Sequence, residues 1–225
     1  MSTHVVIVGA VALGPKVASR LMRCAPDTQV TILDRDRLIS YGACGIPYFV
    51  GGDVSEVNEL RKTMYHMQRN EAFFQNVKHF DVMTGKEVTS INRREKTITY
   101  RDVDDNTEGQ LAYDQLVLAT GATPMLPPLP GTDLPGVFTV SNLHDAQAIK
   151  AKLTQGQIES AVVVGGGAIG LEMAEAFTDL WGVETTVVEM LDHVLPASLG
   201  PDMAGLVHKT LEDNEVRIRC KSKVT

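Results

Sequence analysis

At 225 residues, 44% of them hydrophobic and 22% charged, the chain has ordinary soluble globular composition and the length for one large domain or two smaller ones. A net charge of −7 argues against a nucleic-acid surface, and no apolar run approaches the length of a membrane span. Three cysteines, Cys24, Cys44 and Cys220, form no CxxC pair, and the six histidines have no metal-ligand spacing, so no metal is expected. The odd cysteine count fits a cytoplasmic protein better than a disulfide scaffold.

In chain order, His4–Val8 is a short β-branched run that reads as a buried parallel strand ending at Gly9. Gly9-Ala10-Val11-Ala12-Leu13-Gly14 follows, then a helix with Val17, Ala18, Leu21 and Met22 on its apolar side, then a second strand, Val30–Leu33, ending in Asp34. Strand, glycine turn, helix, strand and acid form a dinucleotide-binding arrangement. The glycines permit a tight turn and close backbone approach, the helix N-terminus faces a pyrophosphate, and the acid accepts from a ribose hydroxyl. Val11 stands where the middle glycine of the fingerprint belongs. Lys16, Arg20 and Arg23 recur at i, i+4 and i+7, one basic stripe along the helix. That stripe is either a solvated face or a landing strip for a phosphate-bearing substrate.

Ser40-Tyr41-Gly42-Ala43-Cys44-Gly45-Ile46-Pro47-Tyr48 places one cysteine among small residues just after this unit. Glu59 to Phe74 reads as a helix with Leu60, Met64, Met67, Phe73 and Phe74 as its packing residues. From Lys86 the period shortens: Val88, Ile91, Ile98 and Tyr100 lie on alternating strands separated by polar turns, an antiparallel meander inserted into a parallel α/β domain. A buried strand then runs from Leu116 into Thr120-Gly121, and five prolines between Pro124 and Pro135 mark a connector.

The pattern then repeats. Ala161–Val164 is a strand, Gly165, Gly167 and Gly170 complete GxGxxG, a helix carries Leu171, Ala174, Phe177 and Leu180, and strand Thr185–Val188 ends in Glu189. Gly165 lies 165 − 9 = 156 residues after Gly9, and Glu189 lies 189 − 34 = 155 after Asp34. Two units in nearly one register are a far stronger signal than one. A carboxylate at Glu189 repels a 2′-phosphate and Met190 and Leu191 offer no arginine, so NADH is favoured over NADPH.

Two dinucleotide units, the Ala119-Thr120-Gly121 strand end and a cysteine after the first unit together resemble the flavin-dependent pyridine nucleotide–disulfide oxidoreductases, from Val5 to the C-terminus. The resemblance implies an α/β fold of two Rossmann-like dinucleotide-binding units with an antiparallel β-meander insertion. It divides the chain into an FAD-binding domain (1–123), a proline-rich connector and helix (124–150) and an NAD(P)H-binding domain (151–225). It assigns FAD to Gly9, Ala10, Val11, Gly14, Asp34, Arg35, Thr120 and Gly121. It assigns the nicotinamide nucleotide to Gly165, Gly167, Ile169, Gly170, Glu172 and Glu189.

Within that family the cysteine neighbourhood selects the branch. Phe49 occupies the place of the second cysteine of glutathione-reductase-like members, so Cys44 acts alone as the catalytic sulfur. The run from Cys44 to Tyr48 and the turn with Val11-Ala12 look like coenzyme A disulfide reductases, whereas NADH peroxidases and oxidases carry a histidine at the place of Ala12. The resemblance therefore implies a coenzyme A disulfide, persulfide or polysulfide as small-molecule substrate, with Arg23 and Ser40 matching its contact positions; Lys16 and Arg20 join them as neighbours whose charge suits its phosphates. NADH oxidase or peroxidase chemistry through a sulfenic acid and a non-catalytic nucleotide-binding fragment are the alternatives. Ala43 departs from the asparagine often found beside the sulfur, and the family's later flavin-binding segment and C-terminal dimerisation domain have no counterpart. A truncated member, homodimeric when full length, is expected.

Overall fold

The computed structural model describes residues 2–225, and these form two compact units. The first comprises residues up to 42 together with 58–123. Its centre is a parallel sheet of β1 (His4–Val8), β2 (Gln29–Asp34), β3 (Asp81–Thr84) and β7 (Gln115–Leu118), in the order β3-β2-β1-β7. Alternate residues of a strand point to opposite faces, and both faces of β1 are covered. Val5 and Ile7 join Ala18 of α1 (Leu13–Cys24) and Phe73, Phe74 and Phe80 in one core. Val6 and Leu33 join Ile98 and Tyr100 of the antiparallel meander β4 (Lys86–Asn92), β5 (Thr97–Asp102) and β6 (Glu108–Ala112) in another. The parallel unit and its inserted meander are those expected from the sequence.

The second unit comprises 43–57 and 124–225. It contains α2 (Ile46–Gly51), α4 (Leu143–Thr154), α5 (Ala168–Thr178) and α6 (Pro201–Asp213). Its parallel sheet runs β10-β9-β8, from β8 (Ser160–Val164), β9 (Glu184–Val188) and β10 (Arg217–Arg219). Leu171 and Ala174 of α5, Val187 of β9, and Ala204 and Leu211 of α6 close its core. The other face of β8 is bare. Val162 is 67% exposed, whereas its repeat equivalent Val6 is fully buried under the meander, a difference of about 1.5–3 kcal/mol in side-chain burial.

Two expectations need revision. The helix read over Glu59 to Phe74 is instead a 3₁₀ segment (Val57–Arg61), a tight hairpin, one α-turn α3 (Glu71–Phe73) and a π-helical continuation (Phe74–Lys78). Side chains that bond the local backbone defeat the helix. Thr63 Oγ1 accepts from the amides of Tyr65 and Met67, His66 is left-handed (φ 60°), and Asn70 caps Phe73 N at 3.0 Å. Met64 and Met67 are consequently exposed, whereas Phe73 and Phe74 are buried. Leu180, read as part of the α5 pattern, lies beyond its end and is 63% exposed. The compact units are not contiguous in sequence. The segment 43–57, with Cys44 and α2, leaves the first unit's chain and packs with the second, because α2 buries Phe49, Val50 and Gly51 against α4 and α5. Among the described residues no helix is long and apolar enough to cross a membrane.

Candidate functional site

Each glycine turn is built the same way. Gly9 N donates to Leu33 O (2.8 Å) and Gly165 N to Val188 O (2.9 Å), which hangs the turn on the neighbouring strand. Both glycines are left-handed, with φ 112° and 108°, a conformation that side chains rarely adopt. A Cβ at Gly14 would lie 1.8 Å from Gly9 O, and one at Gly170 would lie 2.1 Å from Gly165 O, so the last glycine of each turn lets the helix close on the strand. The middle position is different. A Cβ on Gly167 would meet nothing within 4 Å, leaving an open cradle in front of the turn.

The helices behind these turns are left without caps. Neither Ala12 before α1 nor Gly167 before α5 makes a side-chain capping bond, and neither helix has an acid in its first turn. By contrast α4 is capped by Asn142 and carries Asp145 in its first turn. Uncapped first-turn amides and the positive end of the helix dipole suit an anionic group. The residues present therefore fit a dinucleotide pyrophosphate at each turn, with Ala10, Val11 and exposed Ala12 in the first and Gly167 and exposed Ile169 in the second.

The two acids do more than await a ribose. Asp34 accepts from Ala10 N (2.6 Å) and Asp36 N (2.8 Å); Glu189 accepts from Gly166 N (2.7 Å) and Leu191 N (2.8 Å). Each carboxylate staples its glycine turn to the loop that follows, with lone pairs left for further donors. Glu189 is 7% exposed, so a ribose would meet only a sliver of it. Six residues past each acid a second staple repeats: Ser40 N donates to Ala10 O (2.9 Å) and Leu195 N to Gly166 O (2.7 Å), both residues at φ 51°. This pair went unread in the sequence, although continuing the 155-residue register beyond the acids finds it.

In the first unit Lys16, Arg20 and Arg23 are all exposed on α1, opposite buried Gly14 and Ala18. Ser40 is buried and does not share that surface. Arg35 is exposed just after Asp34, and Thr120 and Gly121 are exposed beyond β7, where a Cβ on Gly9 would strike Ala119 O at 2.1 Å. Buried Arg61 binds the carbonyls of Ile39 (3.2 Å) and Arg37 (3.3 Å), and burial pulls its pKa below the ordinary arginine value. It fixes the loop leading to Ser40. In the second unit Cys44 is a free, exposed thiol in a 3₁₀ turn (Ala43–Gly45) just before α2, with Ala43 exposed beside it. Glu172 is exposed on α5. Among the described residues no group of three His, Cys, Asp or Glu side chains is placed to hold a metal ion.

Two glycine-turn βαβ units in one register, each with an uncapped helix and a stapling acid, define a tandem dinucleotide-binding protein. The model of the pyridine nucleotide-disulphide oxidoreductase family matches residues 3–225, and the chain belongs to that family. It is 34% identical over 213 residues to an NADH oxidase of Methanocaldococcus jannaschii, covering 95% of this chain and 46% of the relative. It is 32% identical over 210 residues to an NAD(P)H sulfur oxidoreductase (CoA-dependent) of Pyrococcus abyssi, covering 93% of this chain and 44% of that one. The solved structure of an NAD-dependent persulfide reductase from A. fulgidus superposes with a TM-score of 0.93 at 42% identity, over 98% of this chain and 40% of that chain. The chain thus spans less than half the length of these relatives.

Proposed function

We propose that this chain is the dinucleotide-handling part of a flavoprotein oxidoreductase that moves electrons from NAD(P)H to Cys44, which reduces coenzyme A disulfide or a related persulfide or polysulfide. The observation that carries the reading is the exposed, unpaired thiol of Cys44 in a chain with two glycine turns before uncapped helices and Phe49 where a second cysteine would stand. The first turn, with Asp34, Arg35, Thr120 and Gly121, would hold FAD. The second, with Ile169, Glu172 and Glu189, would hold NADH in preference to NADPH. Bound flavin supplies a two-electron relay between nicotinamide and sulfur.

The chain's own chemistry centres on sulfur. The Cys44 thiolate attacks one sulfur of the substrate S–S bond, that bond breaks, and one coenzyme A leaves as its thiolate. Cys44 keeps the other half as a mixed disulfide. Two electrons originating in NAD(P)H and one proton then return Cys44 to the thiolate and release the second coenzyme A as thiol. Lys16, Arg20 and Arg23 offer three cations on one face for the substrate's pyrophosphate and 3′-phosphate, with Ser40 beside the glycine turn.

Replacing Cys44 by Ser should abolish disulfide reduction and leave flavin reduction by NADH intact in the full-length protein. Surviving disulfide turnover refutes the assignment. A coenzyme A mass on Cys44 in the native protein would support it. The name of the Methanocaldococcus relative favours a second reading, NADH oxidation with Cys44 cycling through sulfenic acid. Exposed Ala12 offers no proton donor at the glycine turn for that chemistry. Peroxide-dependent NADH consumption without coenzyme A distinguishes the two. Absence of bound flavin in the purified chain would instead mark it as a nucleotide-binding fragment without turnover.

A further inference from the structure

The helix that follows Cys44 is gripped by polar side chains at its C-terminal end. At the C-terminus of α2, Lys150 Nζ donates to Val54 O (2.8 Å) and Ser55 O (3.1 Å) and stands 4.0 Å over the Phe49 ring. Trp181 Nε1 donates to Val50 O at 2.8 Å. Val50 O is one of the carbonyls that a helix end leaves without a partner inside the helix, and Trp181, from the turn after α5, satisfies it; Val54 O and Ser55 O lie in the loop three and four residues past Gly51, where Lys150 of α4 pins the chain as it leaves the helix. Contact is close along the same end: a Cβ on Gly51 would lie 3.3 Å from Ala176 Cβ, and one on left-handed Gly52 would lie 2.2 Å from Leu180 Cδ2. Phe49 is 5% exposed and Val50 fully buried. The opposite end buries Ile46 and Pro47 but has no such polar grip, for Gly45 makes no side-chain cap and Ala43 and Cys44 before it are exposed.

From this asymmetry we propose that Lys150 and Trp181 are positioning residues for Cys44, fixing the sulfur through the far end of α2. The proposal rests on Cys44 being the redox sulfur. The lever is short: at ~1.5 Å per residue the six-residue helix sets the sulfur roughly 10 Å from its grip, so loosening that end swings the thiol through a distance that matters for in-line attack on a disulfide. Lys150 is desolvated, which pulls its pKa below the ordinary lysine value; Glu56 nearby opposes that shift. A cation over an aromatic ring with two carbonyl acceptors holds harder than an exposed ion pair.

The test is a nitroxide attached through a disulfide to Cys44 in the full chain with Cys24→Ser and Cys220→Ala, read by electron paramagnetic resonance. It is paired with the rate at which unlabelled Cys44 reacts with oxidised glutathione. Lys150→Met should shorten the label's rotational correlation time about twofold or more and slow the exchange roughly threefold. Trp181→Phe, which keeps the ring and loses the N–H, should do the same to a smaller degree. Lys150→Arg should restore both values, since a guanidinium can still reach two carbonyls and cover the ring. In a second background that keeps Cys24 and carries Cys44→Ser and Cys220→Ala, a label on Cys24 of α1 should not respond to Lys150→Met. Wild-type mobility in Lys150→Met and Trp181→Phe overturns the proposal, even where their melting temperatures fall. So does a mobile label with an unchanged exchange rate, because the grip would then hold the helix without serving the sulfur. If Lys150→Met fails to fold, Trp181→Phe decides. A native protein without any coenzyme A adduct would sink the functional reading and leave the nitroxide result standing.

Discussion

The three fingerprint glycines of the second turn, Gly165, Gly167 and Gly170, should separate steric, conformational and ligand-binding roles. At Gly170 a methyl would lie 2.1 Å from Gly165 O, more than 1 Å inside the ordinary contact range that begins at 3.4 Å, and the opposing atom is backbone. Gly170→Ala must therefore push α5 off β8, at a cost of about 1–3 kcal/mol; a middle value lowers the melting temperature by roughly 6 °C in a chain of this size. At Gly165 no atom is within 4 Å, but φ is 108°, so Gly165→Ala costs about 1–2 kcal/mol through the backbone alone. Gly167 has neither problem, with open space and an extended φ of −80° and ψ of 175°. Gly167→Ala should stay within about 1 kcal/mol of wild type in stability. Its methyl would nevertheless stand in the cradle, and NADH affinity should fall about tenfold, equivalent to ~1.4 kcal/mol. Denaturant unfolding and NADH fluorescence titration on the same variants provide the two axes. Equal stability of Gly170→Ala and wild type would refute the packing argument; a destabilised Gly167→Ala with normal NADH affinity would refute the cradle.

Other expectations concern the staples and the meander. Asp34→Ala deprives Ala10 N and Asp36 N of their acceptor and should destabilise the first unit by about 1–3 kcal/mol, while Asp34→Asn should recover part of that; unchanged denaturation in the alanine variant would count against the staple. In the meander a hydrogen bond from Lys86, then one from the amide of Asp104, hold the Asp102 carboxyl below the usual carboxylate range. Because the folded pKa is the lower one, this stabilisation is complete above the ordinary aspartate value and disappears as pH falls through the depressed value. Lys86→Met should therefore flatten the decline of melting temperature as pH falls below about 4. Identical acid limbs in the two proteins would show that the pair contributes nothing.

How much of this was legible in the sequence depended on whether the cause was local. The strands, the glycine turns and both acids announce themselves because β-branched runs and Gly-rich turns have short-range physical reasons. The meander was legible for the same reason, its alternation at Val88, Ile98 and Tyr100 matching strands that bury one face. The stretch from Glu59 to Phe74 misled because apolar spacing suited a helix, while Thr63, His66 and Asn70 offered the backbone better local partners. No local signal could assign Ala43–Val57 to the second unit. That allegiance is tertiary, resting on Lys150, Ala176 and Trp181, each more than ninety positions further along the chain. Likewise the buried place of Ser40 follows from a backbone bond to Ala10, which side-chain chemistry does not foretell.

The paired left-handed residues also bear on the cysteine segment. Ser40 and Leu195 are separated by 195 − 40 = 155 residues, and after each of them the next α-helix begins six residues later, at Ile46 and at Pro201. Gly45 and Gly200 are the respective N-caps, and both helices carry proline in their first two positions. By register, then, α2 is the counterpart of α6. In the second repeat that helix runs thirteen residues and lays Ala204 and Leu211 on its own sheet, whereas in the first repeat it has six and packs within the second unit, against α4 and α5. Register pairs Cys44 with Leu199, a residue packed against the second core. The same register position therefore carries a core-facing leucine in one repeat and an exposed free thiol in the other, where the helix that follows packs elsewhere.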